Sequence, residues 1–443
     1  MMAKEFTKPS PKLLEKTLHL MHDGLHQRAF PDTGVELPEA LGDARWTDEL
    51  ITSVWYMAET GENPDHLNYK TGKSGGGFDR LRFKELPEED RLAEDAEVDI
   101  SLELNRRGDG RHKRTIAVPW YGGGMSYGSV SVNVMMSRAL NAQKWGTLMS
   151  TGEGGYPTEL YACADSVITQ VATGYFGVEE KSIMAAPIIE FKYAQGAKPG
   201  LGGHLLATKA GEEVAKMRGS VPFVSLFSPF PFHSTYSVED HMKHLDWIKT
   251  VNPTAMMSVK VSTPHDVDMV AVGSYYAGAH IVHLDGSFGG TGAAPEIAKK
   301  NIAMPIELAI PKVHKFMQRE GIRDNVTIIA SGGIRTADDM AKAIALGADG
   351  CVLGTSDLVA MGCTRCSNCE GGPSGRGCPW GLTTTDIELQ EWVQQAWGAE
   401  RLNKYYTALA ARMKQILREL GLSTIGELRG RTDLLRYISG GEA

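Results

Sequence analysis

Four of the six cysteines in this 443-residue chain lie in one short segment near its C-terminal end. They are Cys363, Cys366, Cys369 and Cys378, and Pro379 follows the last of them. Thiolates at such short spacing can reach one metal centre from a single loop, and a final Cys-Pro is typical of ferredoxin-type iron–sulfur sequences. We therefore interpret the four cysteines as ligands of an iron–sulfur cluster. A structural zinc site and free or structural thiols are the alternatives.

An iron–sulfur cluster moves electrons, so we expect the rest of the chain to hold a group that exchanges them. The apolar runs at residues 326–330 and 350–353 each lead into a glycine-containing turn. In a barrel, these turns fall on the loops after the seventh and eighth strands, where backbone N–H groups bind phosphate. Ordinary tight turns are the alternative. The predicted phosphate contacts are Gly332, Gly333, Gly354 and Thr355.

Several charged residues lie beside strand ends and glycine-rich loops. Lys260 ends the apolar run 255–261 and is expected to face a pocket, where a cation stabilises a reduced flavin; a solvent-facing lysine is the alternative. The glycine-rich segment 285–293 is interpreted as a substrate-side loop, with a flexible linker as the alternative. Glu153 lies on a similar tight loop. Cations that we expect to bind a carboxylate-bearing substrate are Lys192, Lys198 and Arg218.

From about residue 111, short apolar runs alternate with helical patterns, which predicts a parallel sheet. Seven or eight such units in roughly 250 residues fit a closed (β/α)8 TIM barrel. A doubly wound open sheet is the alternative, but no Gly-x-Gly-x-x-Gly opens the first unit. The predicted strands are residues 116–120, 185–191, 222–226, 255–261, 280–284, 326–330 and 350–353. The predicted helices between them are residues 129–144, 208–216, 238–250, 264–277, 305–318 and 336–346.

The chain is divided into four regions. Residues 1–110 are interpreted as an N-terminal extension, 111–360 as the barrel, 361–381 as the iron–sulfur loop and 382–443 as a C-terminal helical region. Helical patterns in the two terminal regions cover residues 13–25, 46–58, 386–397, 399–421 and 423–429.

Composition and charge exclude several classes of protein. The 46 Lys and Arg against 54 Asp and Glu give a formal net charge of −8, which argues against a polyanion-binding surface. No signal peptide is expected, since charges occur throughout the first residues. No apolar run approaches the length of a membrane helix. Because the thiols are expected to be reduced, a cytoplasmic protein is predicted.

Several short motifs occur together in one order, and this order is more specific than any single motif. They cover residues 125–128, 152–155, 170–174, 194–200, 289–293 and 362–379. Over roughly residues 110–390, the chain closely resembles the FMN-binding synthase domain of glutamate synthase. The resemblance implies a (β/α)8 barrel with FMN at its mouth and an iron–sulfur cluster beside it.

The resemblance also implies roles for individual residues. Ser126, Gln170 and Lys260 match positions that contact the flavin, and the glycine turns match its phosphate site. Gly289 and Gly290 belong to the matching glycine-rich loop and are expected to bind the cofactor. Lys192, Lys198 and Arg218 match residues that bind the carboxylates of a 2-oxo acid, and Glu153 matches a loop carboxylate near the substrate.

Three departures from the family pattern are informative. Leu201 and His204 replace a Glu and a Gln, which makes the substrate side less polar and suits a small apolar group such as an N-methyl. Cys363 and Cys369 keep the first spacing of a 3Fe–4S pattern. The additional Cys366 makes a 4Fe–4S cluster possible.

The resemblance implies reduction of the imine of a 2-oxo acid with ammonia or methylamine, to glutamate or N-methylglutamate. The chain shows neither a glutaminase segment nor the Gly-repeat β-helix segment of glutamate synthases. We therefore expect these as partner subunits, as in N-methylglutamate synthase. An electron-transfer or scaffold subunit and another FMN barrel, such as a 2-hydroxy-acid oxidase or a dihydropyrimidine-type dehydrogenase, are the alternatives.

Overall fold

The structure is a computed structural model that describes residues 41–64, 77–110, 113–292, 294–372 and 374–438. The helix predicted at residues 13–25 lies outside the described residues. Strands and helices are numbered below in chain order, with strand numbers kept for the barrel.

Eight parallel strands close into a barrel. They are β1 Trp120–Gly122, β2 Met149–Ser150, β3 Val167–Ala172, β4 Ile188–Lys192, β5 Met256–Ser262, β6 Ile281–Asp285, β7 Thr327–Ser331 and β8 Gly350–Leu353. Each strand pairs with the next along the chain, and Cys351 of β8 pairs with Trp120 of β1 to close the ring. The predicted (β/α)8 barrel is confirmed, and the two glycine turns do follow its seventh and eighth strands.

Three parts of the strand prediction are wrong. The run at 222–226 is not a barrel strand, because Leu226–Phe227 pairs antiparallel with His204–Leu205 outside the barrel. Most of the run at 116–120 lies before β1, and Thr115–Ile116 pairs with Leu102–Glu103 instead. Strands β2 and β3 are missing from the prediction, since β2 has two residues and polar side chains interrupt β3.

Helices surround the barrel, and most match the predicted helical segments within a few residues. They are α1 Asp48–Thr60, α2 Val132–Trp145, α3 Glu180–Ala185, α4 Glu212–Arg218, α5 Val238–Val251, α6 Val267–Ala277, α7 Glu296–Asn301, α8 Ile306–Arg319, α9 Ala337–Leu346, α10 Thr355–Ala360, α11 Ile387–Gln390, α12 Gln395–Glu419 and α13 Ile425–Leu428. The helix predicted at 386–397 is wrong, because only residues 387–390 form a helix there and the long C-terminal helix already begins at Gln395. Hydroxyl caps begin several of them; the Ser131 side chain, for example, accepts from the third backbone N–H of α2. In the described part of the chain, none of these helices has the length and apolar content to cross a membrane.

Helices α1 and α12 hold α10, the helix that follows β8. The indole Nε1 of Trp55 in α1 donates to the carbonyl of Val359, at 2.8 Å. The buried Arg401 of α12 donates to the carbonyl of Ala360 and pairs with Glu59. Helices α1 and α12, which lie before and after the barrel in the sequence, therefore hold the helix that begins at the Gly354 and Thr355 turn.

The inside of the barrel is built in layers, because side chains two residues apart on a strand share one face. An apolar layer fills the N-terminal part of the barrel and includes Ile168, Ile188, Met256, Ile281 and Ile329. Two residues later on the same five strands, the buried side chains are polar: Gln170, Glu190, Ser258, His283 and Ser331. This polar layer therefore lies between the apolar filling and the C-terminal mouth of the barrel.

Candidate active site

A cavity of about 420 Å³ opens at the C-terminal ends of the barrel strands. This is the face where TIM-barrel enzymes place their active sites. The cavity is lined by every predicted site residue except Arg218. The predicted residues that line it are Ser126, Glu153, Gln170, Lys192, Lys198, Lys260, Gly289, Gly290, Gly332, Gly333, Gly354, Thr355, Cys363, Cys366, Cys369 and Cys378.

The glycine turns after β7 and β8 form one wall of the cavity. Gly332 and Gly333 have φ values of 102° and 79°, which residues with a side chain rarely adopt. A Cβ at Gly332 would also overlap the carbonyl of Gly286. A Cβ at Gly354, by contrast, would meet no atom within 4 Å. The backbone here is therefore shaped for the close approach of a bound group.

Arg45, from the segment before α1, lies behind this wall. Its Nη2 donates to the carbonyl of Gly333 at 3.1 Å, and its guanidinium lies 4.0 Å from the ring centre of Phe288. Burial lowers the pKa of Arg45. Within the described residues, its Nη1 is buried and has no hydrogen-bond partner. A buried cationic donor beside phosphate-type turns is the kind of group that an anion would satisfy.

Two predicted flavin contacts lie on neighbouring sides of the barrel mouth. Lys260, two residues before the end of β5, pairs with Asp285 of β6, with Nζ 3.2 Å from Oδ2. Burial opposes its charge, but Asp285 and Glu190 raise the pKa of Lys260 above its ordinary value. Gln170 of β3 donates from Nε2 to Glu190 at 2.7 Å. Gly124 lies against Gln170, and a Cβ there would approach Nε2 to 3.2 Å.

A second group of charges lies on the loops after β2 and β4. The Glu153 carboxylate pairs with Lys192 at 2.9 Å and occupies the space where a side chain at Gly203 would lie. Burial opposes its ionisation, but Lys192 holds the pKa of Glu153 below its usual value. Burial, together with Lys192, lowers the pKa of Lys198 to about 8. The cavity therefore has a positively charged side with one carboxylate.

The structure places Arg218 outside the lining of the cavity. Its Nη2 donates to Ser126 Oγ at 3.1 Å and to the carbonyl of Tyr127 at 2.9 Å. Gly154 makes room for it, since a Cβ there would come within 2.5 Å of the guanidinium carbon. In this arrangement Arg218 holds Ser126 in place, and its predicted contact with substrate stays a prediction.

Leu201 and His204, the two substrate-side departures from the family pattern, lie in different places relative to the cavity. Leu201 is 51% exposed and does not line the cavity. His204 lines the cavity and stacks on Phe227, with ring centres 6.0 Å apart. Only His204 therefore changes the polarity of the cavity itself.

The four cysteines of the C-terminal loop line the same cavity as the glycine turns. None is in a disulfide, and burial raises the pKa of the Cys363 thiol to about 12. Lys209 donates to the carbonyl of Cys369 at 2.6 Å, so a cation lies beside this loop. Among the residues that the structure describes, no three His, Cys, Asp or Glu side chains are grouped to hold one metal ion.

The fold and the cavity define an α/β-barrel protein whose site at the strand ends is lined by glycine turns, lysines and thiols. The conserved region of glutamate synthase matches residues 81–423, and the chain belongs to the glutamate synthase family. It is 36% identical over 423 residues to the archaeal-type glutamate synthase (NADPH) of Thermotoga maritima, covering 89% of this chain and 81% of that protein. It is 41% identical over 315 residues to the archaeal glutamate synthase (NADPH) of Methanocaldococcus jannaschii, covering 71% and 61%.

A larger relative and a solved structure complete the comparison. The chain is 34% identical over 324 residues to the glutamate synthase (NADPH) large chain of Azospirillum brasilense, covering 72% of this chain and 21% of that one. A flavocytochrome b2 variant with pyruvate bound has a TM-score of 0.54 and 16% identity, covering 95% of this chain and 91% of the other. At this identity, the likeness to flavocytochrome b2 shows the fold alone.

Proposed function

We propose that this chain is the FMN- and iron–sulfur-containing subunit of a glutamate synthase-type oxidoreductase. It would reduce the imine formed from a 2-oxo acid and ammonia or methylamine, to give glutamate or N-methylglutamate. The observation that carries the proposal is a single cavity that joins the glycine turns, the strand-end cations and the four cysteines. Membership of the glutamate synthase family supports it.

The phosphate of FMN fits the wall formed by the glycine turns. Gly332, Gly333 and Gly354 would present backbone N–H groups, and Thr355 would add a hydroxyl. The buried Nη1 of Arg45 would gain the partner that it lacks among the described residues. A charge-assisted hydrogen bond to a phosphate is stronger than one between neutral groups.

The ring of FMN fits the barrel mouth, where Ser126, Gln170 and Lys260 line the cavity. When bound and reduced by an external electron donor, FMN would supply the hydride that reduces the C=N bond of the substrate. Lys260 would keep a positive charge beside the ring, and its raised pKa keeps that charge at neutral pH. Arg218 would keep Ser126 in position through the hydrogen bond between their side chains.

The positively charged loops fit a dicarboxylate substrate. Lys192 and Lys198 would bind its carboxylates and hold the reacting carbon over the ring, and such positioning accounts for a large share of rate enhancement. Glu153 would orient Lys192 through their ion pair. His204 gives the amine side one aromatic wall, which supports methylamine as one of the two amines to be tested.

The cysteine loop is proposed to hold the iron–sulfur cluster. In such a cluster each thiolate binds its own iron, so the four sulfurs need not converge on one point as they do around a single ion. Lys209 and Arg365 place positive charge beside this loop, which suits an anionic cluster. Four thiolates in one cavity wall make 3Fe–4S and 4Fe–4S clusters the two candidates.

The proposal includes partner subunits and a location. The proposed partners are glutaminase-like and Gly-repeat β-helix subunits, which membership of the glutamate synthase family supports. A cytoplasmic location is proposed because free thiols persist in a reducing compartment. Co-purification from the native host, followed by identification of the bound chains, tests the subunit part of the proposal.

An assay of the purified chain and of the reconstituted complex tests the activity. With 2-oxoglutarate and a reductant, we expect glutamate from ammonia or N-methylglutamate from methylamine. The ratio of kcat/KM for the two amines assigns the physiological amine. No amine-dependent product from the complex, with FMN bound, would contradict the proposed reaction.

A further inference from the structure

The polar layer beneath the cavity forms one hydrogen-bonded network that the proposed reaction does not explain. Its members come from β3 to β7 and are at most 6% exposed. Burying this many polar groups under an enzyme site is costly unless each finds a partner. The network consists of Gln170, Glu190, Ser258, His283 and Ser331, and it reaches Asp285 and Lys260 at the cavity wall.

Glu190 is the first residue of the network whose hydrogen-bonding role is determined by its partners. It accepts hydrogen bonds from Gln170 Nε2 at 2.7 Å, Ser258 Oγ at 3.1 Å and His283 Nδ1 at 2.9 Å. Burial opposes ionisation, but the hydrogen bonds from Gln170 Nε2 and Ser258 Oγ and the charge of Lys260 favour the carboxylate form of Glu190 whatever the charge of His283. Since an ionised carboxylate only accepts, His283 must carry a proton on Nδ1.

Asp285 is the second residue whose hydrogen-bonding role is determined by its partners. It accepts from Ser331 Oγ at 2.6 Å and from the backbone N–H of Gly196 at 3.0 Å, and it pairs with Lys260. Burial opposes its ionisation as well, but the ion pair with Lys260 and the hydrogen bonds from Ser331 and Gly196 favour the carboxylate form of Asp285 whatever the charge of His283. The single hydroxyl hydrogen of Ser331 is therefore used on Asp285.

The carboxylates of Glu190 and Asp285 together determine where the protons lie on the His283 imidazole between them. His283 Nε2 lies 2.8 Å from Ser331 Oγ, which is a hydrogen-bond distance. Because the Ser331 hydrogen points to Asp285, the hydrogen between Nε2 and Oγ must belong to the imidazole. Both ring nitrogens of His283 are then donors, and the ring carries a positive charge.

We propose that His283 is a buried imidazolium that completes a charge-balanced set with Lys260, Glu190 and Asp285, and that it is a positioning residue for the flavin ring. The two cations and the two carboxylates then leave no net charge in the core of the barrel, as a buried ionic cluster requires. The second part of this inference, on the flavin, rests on the proposed function.

The network would act on the site in two ways. Since Glu190 accepts from Gln170 Nε2, the amide oxygen of Gln170 is left for a donor in the cavity that this residue lines. Asp285 pairs with Lys260, and the positive charge of His283 offsets the negative charge of Glu190, so the field at the ring is less negative than it would be beside a neutral imidazole. Reduction adds negative charge to the ring and would be easier in this field.

Nitrogen-15 NMR of the full-length protein labelled at histidine tests the protonation directly. The His283 signal is assigned by its loss in a His283→Gln variant. At neutral pH we expect two protonated ring nitrogens, and in Glu190→Gln we expect one of them to lose its proton. A neutral His283 with an unprotonated Nε2 in the wild-type protein would overturn the inference, whether or not FMN binds.

The midpoint potential of bound FMN tests the effect on the site. His283→Gln leaves one excess negative charge, so the potential should become more negative. The double variant Glu190→Gln/His283→Gln restores the charge balance and should recover most of the shift. Ser258→Ala removes a hydrogen bond to Glu190 without changing charge, and it should leave the potential near the wild-type value.

Equal midpoint potentials of FMN in the wild-type protein and in His283→Gln would overturn the positioning role. A potential in the double variant that is more negative than in His283→Gln would also overturn it. If the purified protein binds no FMN, the proposed function fails, and the NMR result still decides the charge of His283. The two failures are therefore distinguishable.

Discussion

Lys192 at the end of β4 and Glu153 on the loop after β2 form an ion pair inside the cavity, with Nζ 2.9 Å from Oε2. This pair joins two loops that are separate in the sequence and places Lys198 on the same side of the cavity. The space for the Glu153 carboxylate exists because residue 203 is a glycine. The proposed substrate side is therefore fixed by charge and by the absence of one side chain.

Replacing Lys198 should separate substrate binding from cofactor binding. We expect Lys198→Ala to lower kcat/KM for the 2-oxo acid by about 100-fold, because a hydrogen bond to a charged group contributes about 1.5–3 kcal/mol. The FMN content should not change, since Lys198 is assigned to the substrate and not to the cofactor. Steady-state kinetics and the flavin absorbance of the same preparation check both parts. Unchanged kinetics would remove Lys198 from the substrate site.

The activity should also depend on pH through Lys198. Burial and Lys192 lower its pKa to about 8, so its ammonium group is charged below this pH and neutral above it. KM for the 2-oxo acid should therefore rise as the pH increases through about 8. Lys198→Arg keeps its charge over this range and should flatten the profile. An identical rise in the arginine variant would assign the dependence to another group.

Arg45 should contribute to FMN binding from outside the recognised motifs. Arg45→Ala removes a buried charged donor beside Gly333, and we expect an FMN dissociation constant about 10- to 100-fold higher, from the value of a charged hydrogen bond. Arg431→Ala removes an exposed arginine paired with Asp433 and serves as the control. Titration of the apoprotein with FMN measures both variants. Equal dissociation constants would exclude a phosphate contact by Arg45.

Two glycine substitutions should differ in their effect on the cofactor. A Cβ at Gly290 would overlap the Thr355 hydroxyl at the proposed phosphate site, whereas a Cβ at Gly211 would meet no atom within 4 Å. Gly290→Ala should therefore lower FMN occupancy, and Gly211→Ala should not. Thermal unfolding of both variants checks that neither substitution unfolds the barrel. Full occupancy in Gly290→Ala would argue against this placement of the phosphate.

Electron paramagnetic resonance can determine the role of the additional cysteine, Cys366. Cys369→Ala should remove the cluster signal, because this thiol belongs to both cluster patterns. Cys366→Ala should keep a three-iron signal and, if the wild-type cluster has four irons, should change its spectrum. Iron and zinc analysis of the same samples completes the measurement. A wild-type protein that holds zinc and no iron would contradict the cluster.

The sequence predicts the site best where its residues end a strand or form a glycine turn. Gln170, Lys260 and the glycine pairs can be recognised because a barrel brings all strand ends to one face. The run at 222–226 is equally apolar but outside the barrel, with Phe223 64% exposed. Apolar composition alone does not distinguish a barrel strand from an exposed apolar loop.

Other parts of the site depend on contacts that a sequence does not display. Arg45 lies 288 positions from Gly333, and no local motif marks it. His283 and Glu190 lie inside predicted apolar strands, and their roles follow only from partners on three further strands. One signal is available in hindsight: a polar residue two positions after the apolar filling recurs on five successive barrel strands.

The cofactor content of the purified protein tests the central claim most directly. Denaturation of the full-length protein should release FMN in an amount equal to the protein, identified by chromatography against FMN and FAD standards. Before denaturation, the protein should show a flavin absorption spectrum. A colourless, flavin-free protein that cannot be reconstituted with FMN, and that contains zinc, would contradict the account.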